Sequence, residues 1–124
     1  MTAEIQRFSG RAIEAIDKRL SEIISDDERK LLMIRKAGVL ARLGRGLSAT
    51  DLVMAVRQEN KTYEPKLSAW IMYTEGLIAH FQSINTTKAM ERFRPAFAIA
   101  NAIGDIELRS ICAAWMADSN LSLL

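Results

Sequence analysis

Apolar residues return every three or four positions along almost the whole chain, and little interrupts that rhythm: the 124 residues include only six glycines and two prolines. A three-to-four spacing puts the apolar side chains on one face of an α-helix, whereas a strand would need strict alternation. The apolar set is 17 Ala, 13 Leu and 13 Ile against three Val, a mixture that favours helix over sheet. There is no Asn-Gly or Asp-Gly pair of the kind that closes a tight hairpin. The pattern predicts an all-α fold, an array of antiparallel helical hairpins built from about six helices. At 13.9 kDa the chain is the size of one domain.

Caps and breakers place the helices. The first is expected from about Ala3 to Ile24, with Ile5, Phe8, Ala12, Ile16, Leu20 and Ile23 on one face. Ser25 with Glu28 reads as a capping box opening a second helix, which Gly44 and Gly46 end. Ser48 with Asp51 repeats that logic for a third helix to about Asn60. Pro65 suits the first turn of a fourth, reaching about Ser83. Asn85 caps a fifth helix to Gly104, which Pro95 should kink or divide. Asp105 caps a sixth. Connections of about five residues or fewer make neighbouring helices antiparallel. The resulting division is an N-terminal capping helix (1–25), two hairpins (26–64 and 65–104) and a final helix (105–124).

A repeat overlies these helices. A shift of 38 brings Gly38 onto Gly76 and Ala114, Ala41 onto Ala79 and Ala117, and Leu32 onto Trp70 and Leu108. Small residues recurring at one point of successive helices mark close approaches, where a larger side chain would overpack the contact. Met72, Gly76 and Ala79, followed by Ala89, Phe93 and Ala96, give this chain a pattern that resembles the tetratricopeptide repeat. Ile34, Gly38 and Ala41 fit the first helix of an earlier unit, and Ser110, Ala114 and Ala117 that of a later one. The likeness covers about 95 residues, from Glu28 onward. It departs from the family in a period longer than roughly 34 residues and in Pro95 within a second helix. The resemblance implies a superhelix whose first helices line a concave groove that captures a peptide or helix. The family's contact positions then fall on Arg35, Val39 and Arg42, on Tyr73, Leu77 and His80 with Trp70 one turn earlier, and on Ile111, Trp115 and Asp118.

Catalysis is poorly provided for. His80 is the only histidine and Cys112 the only cysteine, so paired acid–base histidines, a disulfide and a thiolate metal cluster are excluded. No phosphate-cradling glycine loop occurs; Gly44-Arg-Gly46 reads as a helix stop. No catalytic residue, metal or cofactor is expected. The lone thiol fits a reducing compartment, which points to the cytoplasm. No apolar run approaches the length of a membrane span.

Binding has better material, because Trp, Tyr and Arg are the residues that most often carry interface energy. Arg35 and Arg42, seven apart, could clamp an acidic peptide or a terminal carboxylate. A net charge of +2 does not indicate nucleic acid. The stretch Arg35, Lys36, Arg42 and Arg45, with few acidic residues nearby, leaves a nucleic-acid-binding regulator as an alternative, although it lacks Asn or Gln base readers. The expected function is a non-catalytic protein–protein interaction or scaffolding module. A second alternative is a purely structural oligomerisation domain.

The last helix carries apolar residues nearly all the way round and should be buried. Leu108, Ile111, Trp115 and Leu121 are therefore expected to pack against a second copy, giving a homodimer. On that expectation, replacing Trp115 with a charged residue yields monomer or insoluble chain, read as molar mass by light scattering.

Overall fold

The computed structural model describes residues 3–60 and 63–123, with side chains for 9–60 and 63–118. Among the described residues it is all-α, with helices α1 (Ala3–Leu20), α2 (Asp26–Arg42), α3 (Gly46–Glu59), α4 (Pro65–Gln82), α5 (Thr86–Ile103) and α6 (Ile106–Leu123). Each helix packs on its successor, and α2 also packs on α4.

The helix ends follow from local chemistry. The Ser25 hydroxyl accepts the Glu28 amide (3.1 Å), but Glu28 does not close the box: its carboxylate takes Arg19 of α1 (2.9 Å). Asn85 accepts from the Lys88 amide and Asp105 from the Leu108 amide. Glu64 caps α4 through the Leu67 amide, with Pro65 in the first turn. The expected Ser48 box is absent. α3 begins three residues earlier, with Arg45 at the N-cap position and no side chain capping it, and the Thr50 hydroxyl donates instead to the Gly46 carbonyl. α5 runs through Pro95 as one helix.

Three helices end on a residue with positive φ: Gly44 at 80° and Gly104 at 76°, but Ile84 at 47°. Glycine adopts that conformation without steric cost. A β-branched residue does not, and Ile84 is also 85% exposed.

The core lies between α2, α4 and α5, with Ile34, Leu77, Phe93 and Leu108 completely buried. At its centre the Phe93 ring packs closely on the backbone of α4 at Gly76; a Cβ there would clash with the ring. The equivalent Gly38 is looser, its nearest neighbour being Leu77 Cδ1 at 3.4 Å. In α6 the third set of small residues, Ser110, Ala114 and Ala117, is exposed. What α6 buries is the adjoining face, Leu108 and Cys112, with Ile111, Trp115 and Met116 half-buried. The smallness predicted from the repeat is thus enforced sterically at Gly76, unneeded for space at Gly38, and solvent-facing in α6.

Two substitutions at matching repeat positions should therefore act in opposite directions. Gly76→Ala is expected to destabilise by about 1–3 kcal/mol through overpacking on Phe93. Gly38→Ala should stabilise by up to about 1 kcal/mol, since its Cβ meets only ordinary contact and glycine is a poor helix former. Ile84→Gly should stabilise by about 1 kcal/mol by removing the left-handed strain. Urea denaturation midpoints check all three.

Candidate functional site

A run of rings connects α4, α5 and α6. Trp70 meets Tyr73 edge-on (5.8 Å between centroids), and Tyr73 meets Phe93 (6.0 Å). Phe93 stacks on Trp115 (6.4 Å), which in turn touches His80 (5.4 Å) and Phe81 (5.5 Å). Each such pair adds about 0.5–1.5 kcal/mol beyond area burial. The backbone of α6 lies on α5, and these side chains carry its attachment across to α4.

Beside this run opens a cavity of about 310 Å³, lined by α1, α2, α4 and α6. Arg35, Val39, Arg42, Trp70, Tyr73, Leu77 and Ile111 all line it, so seven of the ten predicted contact positions share one site. His80 does not; it packs between Phe81 and Trp115. The volume lies at the lower end of the range for small-ligand pockets, about 300–1,000 Å³.

The cavity's wall from α1, Ala12 and Ile16, and its Thr74 lining were not among the positions expected from sequence. The signal for the wall was the apolar face of α1, which was assigned to capping. That helix does lie on α2, held by Lys36–Asp17 (2.7 Å) and Arg19–Glu28. Ile5 and Phe8 of the same predicted face lie outside the described side chains, and Ile23 is fully exposed beyond the helix end. Thr74 gave no signal, because its hydroxyl is satisfied by the carbonyl of Trp70 (2.8 Å) within its own helix.

The two arginines differ in state. Arg35 lies over the Trp70 ring, 4.9 Å from its centroid, and is bridged to Glu107 of α6. Trp70 is only 4% exposed, and its indole N–H donates to the Asp105 carboxylate (3.0 Å), the residue that also caps α6. Arg42 is exposed at the mouth and has no carboxylate partner among the described residues. The basic stretch predicted over 35–45 is split: Arg35 and Arg42 face this cavity, while Lys36 and Arg45 face a separate depression with Asp17 and Asp51. With Arg35 and Lys36 already paired, no continuous phosphate-tracking stripe forms.

Burial governs the two titratable groups inside. It pushes the Tyr73 hydroxyl up to about 12, opposed by a hydrogen bond from Trp115 and the charges of Arg42 and Arg35. It also pushes the Cys112 thiol up to about 12, with the Asp105 carboxylate adding to the effect. A thiol held protonated is a poor nucleophile. Among the described residues, no group of three His, Cys, Asp or Glu side chains could hold a metal ion, and no helix is long and apolar enough to cross a membrane.

The predicted dimer contacts differ in how far the chain itself buries them. Leu108 is completely enclosed in the chain's own core, so it is not free for a second copy. Ile111 and Trp115 are half-buried against α4 and α5. The side chain of Leu121 lies outside the described residues. Among the described residues α6 turns Leu108, Cys112 and half of Trp115 inward, while Ala113, Ala114 and Ala117 and the large Ile106 face outward.

Both pKa shifts are upward, so folding holds protons that the unfolded chain, with values near 9.0 for Cys and 10.0 for Tyr, gives up. Their contribution to stability is complete below about pH 9 and lost as pH rises through about 12. The urea midpoint should fall across that window, and the double variant Tyr73→Phe with Cys112→Ala should flatten the fall. At neutral pH, Cys112 should react with a thiol reagent only as fast as the domain opens.

Comparison of the chain with family models, curated proteins and solved structures gives no match.

Proposed function

We propose that this protein is a non-catalytic protein–protein interaction module, tetratricopeptide-like in its hairpins, that holds an extended or helical segment of a partner in the cavity between α1, α2, α4 and α6. The observation that carries this reading is Arg42, a cation with no carboxylate partner among the described residues, at the mouth of a cavity walled by Trp70, Tyr73, Leu77 and Ile111. An apolar chamber with that guanidinium at its mouth suits an apolar side chain next to a carboxylate, either an acidic residue or a chain terminus. The seating of Phe93 on Gly76 at the family's own spacing supports the repeat-like reading. Tyr73, which lines the cavity, is held protonated by burial, and a phenol so held favours binding over catalysis.

Tyr73 is only 6% exposed, which makes it a wall rather than a separable contact. Tyr73→Ala should cost about 3–5 kcal/mol of stability, as truncation of a buried ring does, so it cannot isolate binding. Arg42 is the informative position.

A displayed library of random peptides with free C-termini, selected on the folded protein, tests the reading. Enriched sequences should pair a large apolar residue with a neighbouring carboxylate. Their binding should fall about tenfold or more with Arg42→Glu, while Arg94→Glu, the same charge change on an exposed residue of α5, should leave it unchanged. Failure to enrich any sequence, or enriched peptides indifferent to Arg42, would refute it.

A further inference from the structure

A second groove, of about 330 Å³, lies on another side of α4, between α3 and α5. Its α4 residues, Glu75, Ile78, Ala79 and Gln82, are displaced from Trp70, Tyr73, Thr74 and Leu77 by roughly 140° around the helix. The two sites therefore open on different faces of the domain.

The groove is built like a seat for an amphipathic segment. Half-buried Ile78 and Met54, 53% exposed and with an adaptable thioether, supply the accessible apolar surface, over buried Val53 and Ala79. Three cations line it, Arg57, Lys88 and Arg92, against one carboxylate, Glu75. That carboxylate is already bonded to Arg57 (2.8 Å). Lys88 and Arg92, one turn apart on α5, are exposed and have no carboxylate partner among the described residues. The excess positive charge is thus fixed along one wall beside an apolar floor.

From this arrangement we infer a second docking site, for an acidic amphipathic helix of a partner protein, laid between α3 and α5 with its apolar face on Met54 and Ile78 and its carboxylates on Lys88 and Arg92. Charge complementarity selects an acidic occupant, and the apolar floor selects one with an apolar face. Single-stranded nucleic acid fits less well, because no aromatic side chain lines this groove for a base to stack on. With a partner in each groove, the domain would bridge two proteins. This site does not depend on the cavity proposed above.

The probe is a fluorescein-labelled peptide of about 15 residues, long enough to form a helix, with Leu at i, i+3, i+7 and i+10, Glu on the flanking positions and Ala elsewhere. It should bind with a Kd on the order of 10 μM. The double variant Lys88→Glu with Arg92→Glu should weaken it about tenfold or more, while Arg94→Glu and Arg42→Ala leave it unchanged. Met54→Lys separates docking from simple attraction: added charge alone would tighten binding, whereas loss of the apolar contact weakens it. All these positions are exposed, so an unchanged far-UV circular dichroism spectrum accompanies each variant. The inference is overturned if the peptide does not bind, if its Glu-to-Lys counterpart binds equally well, or if Arg94→Glu weakens binding as much as the groove pair does. It is also overturned if Arg42 rather than Arg92 controls binding. A twelve-nucleotide oligouridine that binds more tightly and depends on Lys88 and Arg92 would replace it with a nucleic-acid site.

Discussion

The contact of the Phe93 ring with the backbone of α4 at Gly76 sets the position of almost everything else. Because residue 76 has no side chain, the ring can reach α4 and fix the spacing of α4 and α5. The same ring then stacks on Trp115, and through it α6 takes its place relative to α4. Tyr73 packs on Phe93 and Trp70 on Tyr73, so the wall of the cavity extends the core's own aromatic packing. A site whose wall is continuous with the core is preorganised, which lowers the entropic cost of filling it.

Charge is distributed by a different rule. Several acidic and basic side chains on the helix surfaces find each other: Arg29 with Glu59, Lys36 with Asp17, Arg35 with Glu107, Arg57 with Glu75. Exposed pairs of this kind add little stability, but they determine which cations remain free. Arg42 at one groove and Lys88 with Arg92 at the other are left without carboxylates among the described residues. Both grooves thus join a concave, partly apolar surface to cations that have no carboxylate partner among the described residues. Two such sites on different faces suit a domain that connects partners.

Much of this was legible residue by residue. Ser25, Asn85 and Asp105 act as caps because a short polar side chain beside the first turn has few other uses there. The seven-residue interval between Arg35 and Arg42 puts both on one face of α2 whatever surrounds it. The register from Met72 to Ala79 brought Trp70, Tyr73 and Leu77 to the same cavity as those arginines. Elsewhere local signals failed for physical reasons. The Ser48 box lost to an earlier start at Gly46, where packing on Gln82 holds α3. Pro95 did not divide α5, because burial of Phe93, Ala96 and Ala100 on either side of it outweighs one missing hydrogen bond. The all-round apolar count of α6 ignored size, and a helix can bury Leu108 and Cys112 while exposing alanines.

The sequence by itself determined the class of the fold and the helices, since three-to-four apolar spacing, capping residues and scarce glycine and proline act through local geometry that needs no partner. It also determined which side chains share a helix face. Only the tertiary structure decided that α1 closes one wall of the cavity, that Leu108 is core rather than interface, and that Lys88 and Arg92 lie across a groove from Met54. Those outcomes depend on how far apart two helices settle and which carboxylate a long cation reaches first. Such distances are fixed by packing between residues remote in sequence, and no local pattern records them.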